Sequence, residues 1–292
     1  MRDFDYYAPR CLEEALSLLD SRQGAKVLAG GTDLIVQMKE GRVRPQVLID
    51  VKGVEELNRL SFLEDGALFI GAAVPLSRII SYPPLRTAFP MLFEACSLVG
   101  SMQLRNRATM GGNICNGAPS ADTAPPLLAL CARAIVAGPG GSRPVPMAEF
   151  FVGPGKTLLD EKEILVGVEV PPPEAPCGGS YLRHIPRQEM DIAIAGVASL
   201  LLFDREDVCR EARIALGAVA PTPMRSGRAE SALSKRPLTT ETIEEAAREA
   251  SEEARPISDV RGSAAYRKEI VRVLTKRTIR TAWERHRIER HH

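Results

Sequence analysis

Two stretches of this sequence combine small residues with hydrogen-bond donors in a way suited to a large anion. Thr109–Asp122 reads Thr-Met-Gly-Gly-Asn-Ile-Cys-Asn-Gly-Ala-Pro-Ser-Ala-Asp, and Val27–Leu34 reads Val-Leu-Ala-Gly-Gly-Thr-Asp-Leu. Backbone N–H groups at a helix N-terminus or in a tight loop bind a diphosphate well, and glycine lets the backbone come close. Gly30 and Gly31 with the Thr32 hydroxyl offer one such cradle. Gly111 and Gly112 offer another, with Thr109 and Asn113 as side-chain donors. Neither stretch matches GxGxxG or GxxxxGKS/T, so a Rossmann or P-loop site is not supported. The pair is read as two sides of one nucleotide-binding cleft. Asp122 can accept from ribose or adenine donors, or can cap a helix starting at Thr123, and both roles stay open.

The elements that must position these stretches fall into three textures. Leu12, Ala15, Leu16 and Leu19 recur at helical spacing. Lys26–Ala29 and Val47–Asp50 are short strands on either side of a turn of helix (Leu34, Ile35, Met38) that Thr32 or Asp33 can cap. This α/β unit ends near Glu56. From Leu60 the chain reads differently. Leu60–Leu63 and Ala67–Gly71 flank Glu64-Asp65-Gly66, a hairpin signal. Helices at Pro75–Ile80, Pro90–Val99 and Thr123–Leu130 follow, then a hairpin of Ala134–Ala137 with Ser142–Val145, then the strand Ile164–Val170. Pro171-Pro172-Pro173, with Glu174-Ala175-Pro176 behind it, fits neither a sheet interior nor a helix and marks a boundary. Beyond it, Ser180–Ile185, Ile192–Phe203 and Cys209–Val219 read as an antiparallel meander. Helices at Ser226–Ser234, Glu241–Ala254 and Ser263–His286 complete the chain. The acidic Glu241–Ala254 helix is expected to pair with the basic tail, which buries a stripe of Tyr266, Ile270, Leu274 and Ala282. The expected units are 1–56, 57–173 and 177–292.

Composition narrows the function. The chain has 292 residues, 45% apolar and 26% charged, with a net charge of +1. That balance favours neither nucleic acid nor a membrane surface. No apolar run approaches the about 18 residues of a membrane span, and Met1–Tyr7 has no signal-peptide core, so a cytoplasmic location is expected. The six cysteines, Cys11, Cys96, Cys115, Cys131, Cys177 and Cys209, form no CxxC pair. They are read as isolated, mostly buried thiols, not metal or cluster ligands. Of the four histidines, His184, His286, His291 and His292, only His184 is placed within the body of the fold.

Ala29-Gly30-Gly31-Thr32-Asp33-Leu34 and Thr109-Met110-Gly111-Gly112-Asn113, with Asp122 beyond, resemble the two FAD motifs of the flavoprotein (medium) subunit of the molybdenum hydroxylases, the xanthine dehydrogenase and carbon monoxide dehydrogenase type. Ile70-Gly71-Ala72-Ala73-Val74-Pro75-Leu76, Gly217-Ala218-Val219-Ala220-Pro221-Thr222-Pro223 and Arg236-Pro237-Leu238-Thr239 extend the resemblance over nearly the whole chain. It implies an α+β protein: a PCMH-type FAD-binding fold of two α/β subdomains, then a C-terminal domain of a three-stranded antiparallel sheet plus helices. It further implies non-covalent FAD with its diphosphate on the two glycine stretches. Val27, Leu28, Ala29, Gly30, Gly31, Thr32, Asp33 and Leu34 would form the first loop. Thr109, Gly111, Gly112 and Asn113 would form the second, with Asp122 at the adenosine end. Val99 would sit by the isoalloxazine, and Leu165 would line the cofactor or serve only as strand core. Where the family often has Tyr-x-Lys, this chain has Tyr181-Leu182-Arg183. Arg keeps the charge but not the compact ammonium. Arg183 would lie near the flavin or form a surface ion pair; Tyr181 would stack near the ring or pack the domain junction. Leu130–Val145 leaves no room for the iron–sulfur insertion of some relatives.

The implied activity is electron transfer. A molybdenum-binding large subunit would oxidise substrate, a small subunit with 2Fe-2S clusters would relay electrons, and this chain would pass them through FAD to NAD+ or another acceptor. The Mo cofactor and the clusters belong to the partner subunits on this reading, and no catalytic acid, base or nucleophile is expected here. A self-contained flavin oxidase and a non-catalytic nucleotide-binding or bridging subunit are the alternatives. The first would need its own substrate pocket and a His or Cys for covalent flavin attachment, whereas neither stretch holds a histidine and Cys115 is only adjacent; the second would show no flavin spectrum.

Overall fold

Among the described residues, three sheets of three or more strands follow one another along the chain, each built from a contiguous stretch, and a separate two-stranded sheet lies within the second of these stretches. The computed structural model describes residues 3–174, 176–187 and 190–289. Met1 and Arg2, Ala175 of the proline-rich boundary, and His291 and His292 lie outside the described residues.

The first sheet holds β1 (Asp5–Tyr7), β2 (Ala25–Leu28) and β3 (Val47–Asp50), with α1 (Leu12–Ser21) and α2 (Leu34–Lys39) between them. Its order is β1-β3-β2 and both pairings are parallel. Every residue of β3 is buried, as befits the middle strand. Because the strands run the same way, their C-terminal ends share one edge, and the first glycine stretch leaves β2 there. Open parallel sheets receive ligands at that edge.

The second sheet is antiparallel throughout. β4 (Leu60–Phe62) and β5 (Leu68–Gly71) form the expected hairpin. Six helices then intervene: α3 (Leu76–Ile80), α4 (Pro83–Ala88), α5 (Pro90–Leu98), α6 (Met102–Arg105), α7 (Met110–Cys115) and α8 (Ala124–Ala129). β6 (Arg133–Gly138), β7 (Gly141–Pro146), α9 (Met147–Phe150), β8 (Phe151–Gly153), β9 (Lys156–Thr157) and β10 (Ile164–Val170) complete the unit. The order β4-β5-β10-β6-β7 puts β10 in the centre, which accounts for its nearly unbroken apolar run.

The third sheet is the meander β11 (Cys177–His184), β12 (Ala195–Phe203) and β13 (Cys209–Gly217), extended by a two-residue β14 (Met224–Arg225) that the three-stranded expectation omits. Two residues are too few to leave a periodic signal. Then come α10 (Gly227–Leu233), α11 (Thr240–Glu253) and α12 (Ala264–Glu289). All nine residues of β12 are buried because the strand separates two cores. Ala198, Leu200 and Leu202 join the core shared with the first two sheets, whereas Val197, Leu201 and Phe203 join the core under the C-terminal helices. That alternation is the two-residue period of a strand.

The acidic and basic helices do pair: Glu244 on α11 receives both Arg272 and Lys276 of α12. The buried stripe of α12 is shifted from the expected one. Tyr266 is exposed, and the inward face carries Arg267, Val271, Leu274, Thr275, Thr278, Ile279, Ala282 and His286. Polar residues sit on that face because each finds a partner. Thr278 meets Ser199 at 2.7 Å, and Arg267 donates to the Ile194 carbonyl at 2.9 Å. His286, expected outside the body of the fold, is buried and stacks on Phe203 with its Nε2 2.7 Å from Asp207. The cysteines are less uniformly buried than expected: Cys96 and Cys209 are buried, but Cys11 and Cys131 are exposed.

Candidate functional site

A cleft of about 500 Å³ opens between the first and second sheets. Fourteen residues singled out from sequence lie on its wall: all eight of Val27–Leu34, then Val99, Thr109, Gly111, Gly112, Asn113 and Leu165. The volume is in the range of small-molecule and cofactor pockets.

The first glycine stretch is a set of open donors. Among the described residues, the N–H groups of Gly30, Gly31, Thr32 and Asp33 donate to no acceptor. Gly31 has φ +75°, a left-handed conformation that a side chain disfavours. Such a run of unpaired amides has the character of an anion nest. Loss of water around Asp33 raises its carboxyl above the ordinary value, against the hydrogen bond from Thr32. Neither Thr32 nor Asp33 caps α2 through its side chain. Gly30 has a different task. A Cβ there would collide with the Arg107 carbonyl oxygen and lie 2.9 Å from the Ala108 Cα, so Gly30 lets the first stretch pack against the approach to the second.

The second stretch is a helix start, not a loop of free amides. Thr109 is the N-cap of α7, and its Oγ1 accepts from the Gly112 N–H at 2.9 Å. Gly111 N–H donates to the Ala72 carbonyl at 3.2 Å, and Asn113 N–H to that of Thr109 at 3.0 Å. These amides are therefore satisfied within the protein, which corrects the symmetric two-nest expectation. What this wall offers instead is side chains. Asn113 accepts through Oδ1 from the Thr123 hydroxyl at 2.6 Å, which leaves its amide NH2 as a donor. Gly111 is required by packing: a Cβ there would lie 2.6 Å from both the Cβ and the carbonyl oxygen of Ala72.

A third wall comes from β10, whose pairing with β6 shifts register between Leu165 and Gly167. The bulge lies beside Leu165, which is both buried core and cleft lining. Sequence reasoning missed Lys26, Gln37, Cys115, Asn116 and Glu163, which also line the cleft. Gln37 Nε2 reaches Asn116 Oδ1 at 3.3 Å, joining α2 to the C-cap of α7. Asn116 stands three residues after Asn113, one helical turn on. The periodicity would have found it had the glycines not suggested a loop. Cys115, expected only beside the site, lines it. Burial pushes its thiol up to about 12, so it is protonated at neutral pH and a poor nucleophile.

Asp122, Tyr181 and Arg183 lie apart from that lining. Asp122 is buried and receives the Tyr181 hydroxyl at 2.8 Å on one oxygen and the Arg183 guanidinium on the other. Its N-cap role fails: α8 is capped at Thr123, without a side-chain bond. The surface ion pair considered for Arg183 is in fact buried, with side chains 5% and 8% exposed. Burial raises the Asp122 carboxyl above its ordinary range, against the pull of Arg183 and Tyr181. The trio joins the turn before α8 to β11, so Tyr181 packs the junction between the second and third sheets. Glu94 of α5 adds to the junction by accepting the Tyr181 N–H at 2.8 Å and pairing with Arg285. The Arg183 Nε is buried without a partner.

Residues 2–173 match the family described as the FAD binding domain in molybdopterin dehydrogenase, and residues 180–282 match the CO dehydrogenase flavoprotein C-terminal domain. The chain belongs to the FAD-binding subunits of the molybdenum hydroxylase family. It is 36% identical to the xanthine dehydrogenase FAD-binding subunit of Escherichia coli, over 97% of each chain. It is also 36% identical to the carbon monoxide dehydrogenase medium chain of Hydrogenophaga pseudoflava, over 97% of this chain and 98% of that one. Among solved structures, carbon monoxide dehydrogenase of that organism superposes with a TM-score of 0.93, covering 97% of this chain and 98% of the other. Quinoline 2-oxidoreductase of Pseudomonas putida gives 0.91 at 30% identity, over 97% and 98%. The chain is thus an oxidoreductase subunit with an FAD-binding domain. The cleft's open amides, side-chain donors and apolar wall fit that cofactor. No helix among the described residues is long and apolar enough to cross a membrane.

Proposed function

We propose that this chain carries electrons through FAD between a partner subunit bearing 2Fe-2S clusters and NAD+ or another acceptor, within a complex whose large subunit holds the molybdenum cofactor and oxidises substrate. The observation that carries this reading is the run of four unpaired N–H groups at Gly30–Asp33, set at the C-terminal edge of a parallel sheet and facing the Asn113 side chain across one cleft. Relatives named as dehydrogenase subunits support the redox role. Bound FAD would supply the exchange between one-electron and two-electron transfer.

On this reading the chain's own residues bind and orient. The Gly30–Asp33 amides hold the diphosphate, Asn113 and Thr109 add donors, and Val99, Leu165 and Ile164 keep water from one side of the cleft. We assign residues 1–56 and 57–173 to the two halves of the cofactor site and 177–292 to a unit that closes the junction through the Asp122–Tyr181–Arg183 trio. We place the complex in the cytoplasm. A self-contained oxidase with covalent flavin is disfavoured: the cleft lining holds no histidine among the described residues, and burial pushes up the thiol of its one cysteine, Cys115. The purified chain should show a flavin spectrum at one FAD per chain, and the native complex should contain molybdenum and iron. A chain that binds no flavin on reconstitution would remove the assignment. Reduction by NADH would identify a nicotinamide acceptor.

A further inference from the structure

The first glycine stretch is flanked by a charged cluster that the cofactor reading does not use. β1, β2 and β3 end together, and the cluster is built from those ends. Asp50, the last residue of β3, is buried. Its Oδ1 accepts from the Lys52 N–H at 3.0 Å, and its Oδ2 accepts from the Lys52 ammonium at 2.6 Å and from the Tyr6 hydroxyl. Lys52 Nζ then donates onward to the Ala29 carbonyl at 3.3 Å. Lys52 itself does not line the cleft, although its neighbour Val51 does.

The peptide between Ala29 and Gly30 is planar and trans, so its carbonyl and its N–H point in opposite directions. Fixing the carbonyl on Lys52 turns the Gly30 N–H to the other side, where it is the first of the four unpaired amides. That peptide would otherwise rotate easily, because glycine tolerates many φ values. The charge of Lys52 is balanced by Asp50, so its contribution is directional. We propose that Lys52, held by Asp50 and Tyr6, is the positioning residue that locks the Ala29–Gly30 peptide with its N–H toward the diphosphate of the dinucleotide. This inference rests on the FAD reading of the cleft.

The test is titration of the full-length apo chain with FAD, ADP and adenosine, read by fluorescence and calorimetry, beside its thermal unfolding. Lys52→Met keeps the length of the side chain and removes the donor. It should weaken FAD and ADP alike by about tenfold and leave adenosine unchanged, because only the first two carry a diphosphate. Lys52→Arg, which can still donate to the carbonyl, should recover most of the loss. Tyr6→Phe removes one hydroxyl from a half-exposed side chain and serves if Lys52→Met does not fold. It should weaken FAD and ADP together by about threefold. Unchanged FAD and ADP affinity in these variants overturns the proposal, as does equal weakening of all three ligands, which would mean a general distortion of the cleft. A wild-type chain that binds neither FAD nor ADP overturns the cofactor reading itself, and the proposal with it.

Discussion

Gly111 and Gly112 stand side by side in the first turn of α7, yet alanine should destabilise the protein at Gly111 and leave it nearly unchanged at Gly112. In a helix, Gly→Ala gains about 1 kcal/mol from lower backbone entropy in the unfolded chain. At Gly112 the new Cβ would lie 3.1 Å from the Thr109 Oγ1, its one close neighbour, and otherwise faces open space. Moving that hydroxyl weakens the N-cap, which is worth about 1 kcal/mol, so the two effects nearly cancel. At Gly111 the Cβ would press on the Cβ, Cα and carbonyl oxygen of Ala72, all within 2.7 Å. Backbone cannot rotate aside as a side chain can. α7 must move, and it strains the Gly111 N–H bond to Ala72 as it does. Overpacking at about 1–3 kcal/mol plus a hydrogen bond at about 1 kcal/mol outweigh the helix gain and leave a net loss of about 1–3 kcal/mol. For a chain of this size that is a fall in Tm of about 2–5 °C. The assay is thermal unfolding of both apo variants, followed by FAD reconstitution. Gly111→Ala should be less stable and reconstitute poorly, whereas Gly112→Ala should unfold with the wild type. A Gly111→Ala protein as stable as wild type, or equal losses in both, would refute the claim that Gly111 serves packing.

Other perturbations separate the remaining parts of the structure. Asp122→Asn leaves the buried Arg183 guanidinium without its counter-ion and should cost about 3–5 kcal/mol in denaturant unfolding; Asp122→Asn with Arg183→Leu should recover much of that loss, and additive losses would contradict the pairing. Burial pushes the Asp50 carboxyl up, but the Lys52 ammonium, the Tyr6 hydroxyl and the Lys52 N–H outweigh it and hold the group below its ordinary range. Its stabilising contribution is therefore complete above the unfolded carboxylate pKa of about 3.9 and is lost as pH falls through the lower native value. The stability gap between wild type and Asp50→Asn should be widest near neutrality and close at acid pH, and a gap independent of pH would count against the network. Thr109→Ala removes the α7 cap and should cost about 1 kcal/mol in urea unfolding. Arg272→Ala cuts a solvent-screened pair with Glu244 and should shift the urea midpoint only slightly, a shift that salt erases.

Much of the architecture is legible locally. β3 and β10 are apolar runs closed by turn signals, and their observed bounds, Val47–Asp50 and Ile164–Val170, follow from those runs. The hairpins at Glu64-Asp65-Gly66 and Gly138–Gly141 carry their own turn residues. β1 has only three residues, and α6 and α9 have four each, so none shows a period; their conformation comes from the neighbours they pack on. The inward face of α12 differs from the apolar stripe because it includes Arg267 and His286, residue types that periodicity assigns to the surface. Asp259 and the Ile194 and Ala218 carbonyls make the burial of Arg267 tolerable, and Asp207 that of His286.

The same division holds at the site. The amino-acid order alone put two glycine stretches, Thr109 and Asn113 in one candidate constellation, because a large anion calls for small residues and short donors wherever the chain delivers them; Val99 came only with the family resemblance. The roles within that constellation depend on what lies across from each atom. Gly30 and Gly111 are small to admit protein backbone, from Arg107–Ala108 and from Ala72 respectively, whereas the free amides run from Gly30 to Asp33. Asp122 follows the second stretch in sequence but joins Tyr181 and Arg183 of a later sheet. A chain can state which groups it carries. Whether an N–H is open to a ligand or already satisfied is settled by distances to residues far away in sequence, and those exist only once the three sheets are packed together.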